Sequence, residues 1–217
     1  HADLTPYVDG VNGHVTLFAN SNAIASFIPQ DIQPFLRRHE GVRIQMEERL
    51  SHDVVSAVAD GRADLGVVAW DGSHPALKFY PYRRDELVVV AGSATKLPQT
   101  NSISFADSLQ FPFVCLQSGS AIHTFIVGKA TALGRHLDVR IQVAGFQAVV
   151  ALVQSGAGLG IVPRSIVQDN PFRGIRILSL HEEWAIRHLR ICVPVDSSRI
   201  SRHAMALLMH LEAAGEA

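Results

Sequence analysis

The sequence predicts an α/β chain, and three observations carry that prediction. Short apolar or alternating segments recur, each followed by residues with apolar positions three and four apart. The stretch Asp60-Gly61-Arg62-Ala63-Asp64-Leu65-Gly66-Val67-Val68 runs a glycine helix stop straight into an apolar strand. Leu65 to Val68 is apolar throughout, as in a parallel strand covered on both faces. In such sheets ligands bind beyond the carboxyl ends of the strands, which says where a site should lie.

Taken in order, residues 1–13 have no period and read as a linker, with Pro6, Gly10 and Gly13. Val15 to Ala19 is a first strand, and Asn20-Ser21-Asn22 is suited to a helix N-cap. Ile24, Phe27, Ile28, Ile32, Phe35 and Leu36 form one helix face, with a kink or restart expected near Pro29 and Pro34. Val42 to Glu48 alternates as a second strand; Ser51 and Asp53 can cap a second helix. After the third strand, Leu65 to Ala69, two further strands are expected at Leu77–Tyr82 and Leu87–Ala91, separated by the charged corner Arg83-Arg84-Asp85-Glu86.

Gly92 to Ser104 reads as a crossover, after which the pattern restarts. Strands are expected at Phe113–Leu116, Val139–Val143, Leu159–Val162, Ile175–Leu178 and Leu189–Val193. Helices are expected at Ala121–Leu133 and Ala148–Gln154, and a last one capped by Ser197 or Ser198. Each half therefore has a strand ending in a small polar cluster, Asn20-Ser21-Asn22 or Gln117-Ser118-Gly119-Ser120, before a helix. This suggests two α/β lobes, each aiming a helix N-terminus, and the last helix could return to the first lobe.

Composition narrows the function. The 217 residues are 47% hydrophobic and 18% charged, with 19 basic against 20 acidic residues, so there is no nucleic-acid footprint. No apolar run approaches a membrane span, and no signal peptide is visible. Cys115 and Cys192 share no CxxC pattern and read as reduced and buried, as in a cytoplasmic protein. The sequence lacks a GxSxG elbow, a P-loop and an HExxH motif, and its 11 histidines are scattered, so no catalytic residue, metal site or cofactor is expected. The glycines of Gly156-Ala157-Gly158-Leu159-Gly160 follow a helix and open a strand, the reverse of a dinucleotide loop, and read as helix termination and close packing.

The chemistry that remains is anion binding. Helix N-termini carry unpaired amides and partial positive charge, and Ser21, Asn22, Ser118 and Ser120 would add neutral donors there. Plain capping is the alternative. Phe146 and Gln147, opening a helix after Gly145, offer an apolar wall and an orienting amide, or a buried aromatic and an exposed glutamine. Trp70, at a strand end, is ligand wall or lobe-edge packing.

Four segments together resemble the effector-binding domain of LysR-type transcriptional regulators, over about Gly13 to Glu212. They are Gly13-His14-Val15-Thr16-Leu17 leading to Ser21, Phe27-Ile28-Pro29 and Phe35; Gly41-Val42-Arg43-Ile44; Asp60 to Val67; and Leu152 to Pro163. Gly41 replaces the family's proline, and Ala94-Thr95-Lys96-Leu97-Pro98 stands where a His-Pro-Leu-Ala loop is common. The resemblance implies a two-lobed fold of the periplasmic-binding-protein type II kind, each lobe a Rossmann-like mixed sheet with flanking helices. Lobe I would hold residues 13–92 and 194–217, lobe II residues 93–193, with 1–12 a linker from a winged helix-turn-helix. A small organic or inorganic anion would lie between the lobes against Ser21, Asn22, Trp70, Ser118, Gly119, Ser120, Phe146 and Gln147. The resemblance further implies a cytoplasmic, non-enzymatic homodimer or homotetramer that meets DNA only through that other domain. A solute-binding protein of a transport system is the alternative.

Overall fold

The computed structural model describes residues 13–168 and 173–216, so the expected linker over 1–12 lies outside the described residues. β1 (Gly13–Ala19) leads into α1 (Ser21–Ser26) and α2 (Ile28–Arg38). Asn20 Oδ1 caps α1 by accepting the Ala23 N–H at 2.9 Å. The expected kink or restart is a full break at Phe27. Pro29 falls in the first turn of α2, where its missing N–H costs nothing. β2 (Val42–Glu48), α3 (Ser51–Ala59) and β3 (Leu65–Ala69) follow, and β1 pairs in parallel with both strands. Gly61, at φ +78, ends α3 in the left-handed conformation its position requires.

Leu77–Gly92 is one strand, β4, where the sequence suggested two. The charged corner stays extended because three of its four charged residues have partners outside the strand and the fourth, Arg84, is exposed to solvent. Arg83 pairs with Asp31 of α2, Ser165 donates to Asp85, and Arg164 pairs with Glu86. The backbone of the same segment is laddered antiparallel to β10 (Ile186–Pro194). Beyond Gly92 come β5 (Ser102–Ile103), α4 (Phe105–Ser108), β6 (Phe113–Leu116), α5 (Ala121–Ala132), β7 (Val139–Val143) and α6 (Phe146–Gln154). β8 (Gly160–Pro163), α7 (Arg164–Gln168) and β9 (Ile175–Leu180) precede β10, and α8 (Arg202–Glu216) follows it. Neither Ser197 nor Ser198 caps α8. Asp196 caps a separate 3-10 turn there, and Ser201 Oγ accepts the Ala204 N–H at the start of α8.

The strands form a mixed sheet in the order β2-β1-β3-β10-β4-β9-β5, with β8 also on β4 and a separate β6-β7 pair. The first half of β4 pairs with β10 and the second half with β8 and β9, so β4 belongs to two groups of strands. Leu189–Val193, counted above with residues 93–193, hydrogen-bonds to β3 and to the first half of β4.

Each group carries apolar residues on both faces and helices over both. Around β1, Leu17, Leu65, Val67 and Ile191 pack beneath Ile32 and Phe35 of α2 and Leu207 and Leu211 of α8. Phe18, Val68 and Cys192 face α3 through Val54 and Val58. The alternation of Leu17 and Phe18 is the strand period read off the sequence. Around the second half of β4, Val88 and Val90 meet Val149, Val150 and Val153 of α6, while Val89 faces Phe105, Phe113 and Leu178. The glycines of 156–160 serve helix termination and packing: Gly156 takes φ +87 past α6, and a Cβ on Gly160 would lie 2.8 Å from Val149.

α2 is locked to β4 by one buried carboxylate. Asp31 accepts from Tyr82 Oη at 2.6 Å and from Arg83 Nη2 at 2.8 Å. Burial, and then the Asp31 hydrogen bond, push the Tyr82 phenol far above its usual range, so it acts only as a donor here. Asp31→Ala should cost about 3 kcal/mol of stability by stranding both donors, and Tyr82→Phe about 1 kcal/mol, as read from urea midpoints. Gly66 tests packing: a Cβ there would meet Val54 Cγ1 within van der Waals contact and Cys192 Sγ at 2.8 Å. Gly66→Ala should therefore cost about 1–3 kcal/mol by the same measurement.

Candidate functional site

The carboxyl ends of β1, β2 and β3 open on one side, and the first turn of α5 stands opposite. Between them lies a cavity of about 260 Å³. From the β1–β3 side it is lined by Asn20, Ser21, Asn22, Leu50, Ser51, His52, Ala69 and Trp70. Across from them stand Ala121, Ile122, Thr124 and Phe125 of α5, with Leu87 of β4 and Arg187 of β10 where those strands lie side by side. Most of this wall is apolar, with a few placed polar groups, which is the usual make-up of a small-molecule site.

Its polar groups are unusually short of partners. Asn22 Nδ2, Trp70 Nε1 and Arg187 Nη1 are buried nitrogens with no hydrogen-bond partner. Buried polar groups are nearly always paired, so three left without partners on residues that line one cavity are exceptions to that rule. The Arg187 guanidinium stacks on Phe125, 4.0 Å from the ring centroid. Burial brings its pKa down to about 10, partly offset by the Asp71 carboxylate, so it stays a cation at neutral pH. Trp70 is held in place by Arg190, which donates to the carbonyls of Trp70 and Gly72 at 3.0 and 3.1 Å. Ser21 Oγ donates to Glu48 Oε1 at 2.5 Å, and Ser51 Oγ accepts the Ala69 N–H at 3.1 Å.

Of the residues singled out in the sequence, Ser21, Asn22 and Trp70 line this cavity. Ser118, Gly119, Ser120, Phe146 and Gln147 stand outside its lining. Ser118 and Gly119 are exposed on the turn before α5, and Ser120 caps α5 by accepting the His123 N–H at 3.3 Å. Phe146 is buried against Val114 and Val162, and Gln147 is exposed on the first turn of α6. Sequence reasoning missed Asn20, Leu50, Ser51, His52, Phe125 and Arg187. Legible signals existed for Asn20, in the polar cluster after the first strand, and for Arg187, a charge beside the apolar strand residues Ile186 and Leu189.

Among the described residues no group of His, Cys, Asp and Glu could hold a metal, and no helix is long and apolar enough to cross a membrane. Both cysteines are free; Cys192 is buried and Cys115 only half-buried. Burial pushes the Cys192 thiol up to about 12 and the Cys115 thiol up to about 11. The folded chain therefore keeps thiol protons that the unfolded chain releases above about pH 8.5. Their stabilising contribution is complete below that pH and is lost as pH rises toward the folded values. A thiol titration at pH 8 should find Cys192 unreactive until the chain is unfolded and Cys115 slow; rapid labelling of Cys192 would contradict its burial.

Comparison with known proteins agrees with this architecture. Residues 9–215 match the family model described as the LysR substrate binding domain. Among curated relatives, the chain is 29% identical over 199 residues to a phosphonates import ATP-binding protein PhnC of Anaeromyxobacter dehalogenans, covering 90% of this chain and 37% of that protein. It is 22% identical over 187 residues to the HTH-type transcriptional activator IlvY of Salmonella typhimurium, covering 84% of this chain and 63% of that protein. The chain thus spans between about a third and two thirds of these relatives' length. Among solved structures, the CcmR regulatory domain of Synechocystis PCC6803 in complex with 2-PG gives a TM-score of 0.76 at 18% identity, over 94% of this chain and 98% of that one. The effector binding domain of QuiR in complex with shikimate gives 0.70 at 19% identity, over 94% and 97%. These likenesses extend over the mixed sheet and its flanking helices, the fold of type II periplasmic binding proteins. By sequence pattern and by architecture alike, the chain belongs to the LysR substrate binding domain family.

Proposed function

We propose that this chain is the effector-sensing module of a transcriptional regulator, and that a small anion is its effector. The observation that carries the reading is the cavity between α1 and α5, where the Arg187 guanidinium is half withdrawn from water beside buried nitrogens that lack partners. A cation held this way loses hydration without gaining an acceptor, and an anionic ligand would supply one. The similar proteins support the same reading: IlvY is a transcriptional activator, and the QuiR and CcmR domains were solved with shikimate and 2-PG. The ATP-binding function in the PhnC name is not carried over, because this sequence has no phosphate-binding loop pattern.

The mechanism follows from where the cavity sits. Its walls come from elements on both sides of the β4–β10 pair, so a ligand touching both favours the arrangement in which they are close. A ligand shifts such an equilibrium only by its difference in affinity for the two arrangements. In the whole protein this bias would pass to a DNA-binding domain joined ahead of residue 13, within a cytoplasmic dimer or tetramer. The two lobes would be residues 13–92 with 194–217, and 93–193, with β10 laid across from the second to the first.

A thermal-shift panel of small carboxylates, phosphates and sulfate on this chain tests the reading. Responding anions should lose at least tenfold in affinity in Arg187→Gln, about 1.4 kcal/mol, without a matching loss of ligand-free Tm. Unchanged affinity in that variant for every responding anion would sink the assignment of the site.

A further inference from the structure

Positive charge is scarce around the cavity, and that limits what the cavity can hold. Among the described residues that line it, Arg187 is the one arginine or lysine. Arg190, Lys129, Arg49 and His52 stand nearby, and each is committed elsewhere. Arg190 donates to the carbonyls of Trp70 and Gly72 and stands over Phe79, 4.5 Å from the ring centroid. Lys129 Nζ lies 5.0 Å from the Phe125 centroid and 5.7 Å from that of Trp184. Arg49 pairs with Glu47, and the exposed His52 has its Nε2 3.2 Å from Asp53 Oδ1.

Carboxylates stand close behind the same lining. Asp71, next to Trp70, is near enough to act on the Arg187 charge, and Glu48 accepts the Ser21 hydroxyl at 2.5 Å. A ligand with one negative charge can pair with Arg187. A second negative charge would give up hydration with no cation to meet it, and Asp71 and Glu48 would repel it. The first turn of α5, with Ala121 and Ile122 on the lining, adds backbone donors that favour an anion but carry no full charge.

The rest of the lining is mostly apolar: Leu50, Ala69, Trp70, Leu87, Ile122 and Phe125. Such a surface is stabilised by covering a hydrocarbon body, which an inorganic anion lacks. Carboxylates and phosphates both fit the guanidinium fork, but a phosphate monoester carries roughly 1.5 to 2 negative charges at neutral pH. Taking the cavity as the effector site, we propose that the effector is a monocarboxylate with an apolar body, and that dicarboxylates, phosphate monoesters and inorganic anions are turned away by charge. The carboxylate pairs with Arg187, and the body lies against Leu50, Ile122 and Phe125.

Matched acids on the 217-residue chain test this by calorimetry at neutral pH and constant ionic strength. Terephthalate is 4-methylbenzoate with its methyl replaced by a carboxylate, and adipate stands in the same relation to hexanoate. Each monocarboxylate should bind about tenfold or more tightly than its dicarboxylate. Sulfate, phosphate and the uncharged 4-methylbenzamide should not compete. Thr124 is exposed on α5 yet lines the cavity, so Thr124→Lys adds a second cation there and should bring terephthalate within about twofold of 4-methylbenzoate. An unchanged ratio in that variant would mean that shape and not charge sets the preference, and would overturn the proposal. Dicarboxylates that bind the unaltered chain as tightly as their partners, and are weakened by Arg187→Gln, would refute the single-charge class while leaving the cavity as an anion site. Monocarboxylate binding that is indifferent to Arg187→Gln would instead refute the cavity as the effector site. Failure of both monocarboxylates to bind at millimolar concentration would also overturn the proposal.

Discussion

Strand β4 is the constraint on which the rest of the structure depends. Its first half completes the strands around β1 through β10, and its second half is the strand on which β8 and β9 are laid. A strand in that position needs backbone partners throughout and cannot turn, yet its middle is the most charged run in the sequence, Arg83-Arg84-Asp85-Glu86. Charge in the middle of a sheet is tolerated only when it is paired. The structure pairs three of these residues from both directions and leaves Arg84 exposed: α2 brings Asp31 to Arg83, while α7 brings Arg164 to Glu86 and Ser165 to Asp85. Helices far apart in the sequence are thus fixed to a common strand by its charges.

The cavity inherits its character from that arrangement. It opens beside the place where β4 and β10 run together, so residues distant in sequence, from Asn20 to Arg187, line one cavity. Its groups are held in place by surroundings that do not satisfy them. Arg187 rests on Phe125, Trp70 is fixed by Arg190, and Ser21 is tied to Glu48, while three buried nitrogens remain without partners. Such groups cost stability in the empty protein.

The same geometry joins the cavity to the shared strand. Asn22 at the cavity wall reaches Asp85 on β4 through Ser26 and Ser165, and those two serines belong to helices packed on different parts of the sheet. These contacts tie α1 to α7 and, through Asp85, to β4.

The sequence by itself determined the class of fold, the order of most strands and helices, and the side of the sheet on which the cavity opens. Each of these rests on short-range rules: alternation along β1 and β2, three-and-four spacing in α2, and the left-handed Gly61 after α3. It also carried the family, through segments whose spacing is set by turns and helix ends. It placed Ser21, Asn22 and Trp70 at the cavity because they follow the carboxyl ends of strands. Tertiary structure alone decided that Leu77–Gly92 is one strand, because the partners that keep its charges extended come from α2 and α7, far away in sequence. It alone brought Arg187 and Phe125 to the cavity and left Phe146 in the core, since a residue's side of a helix or strand is fixed by packing, not by its neighbours in the chain.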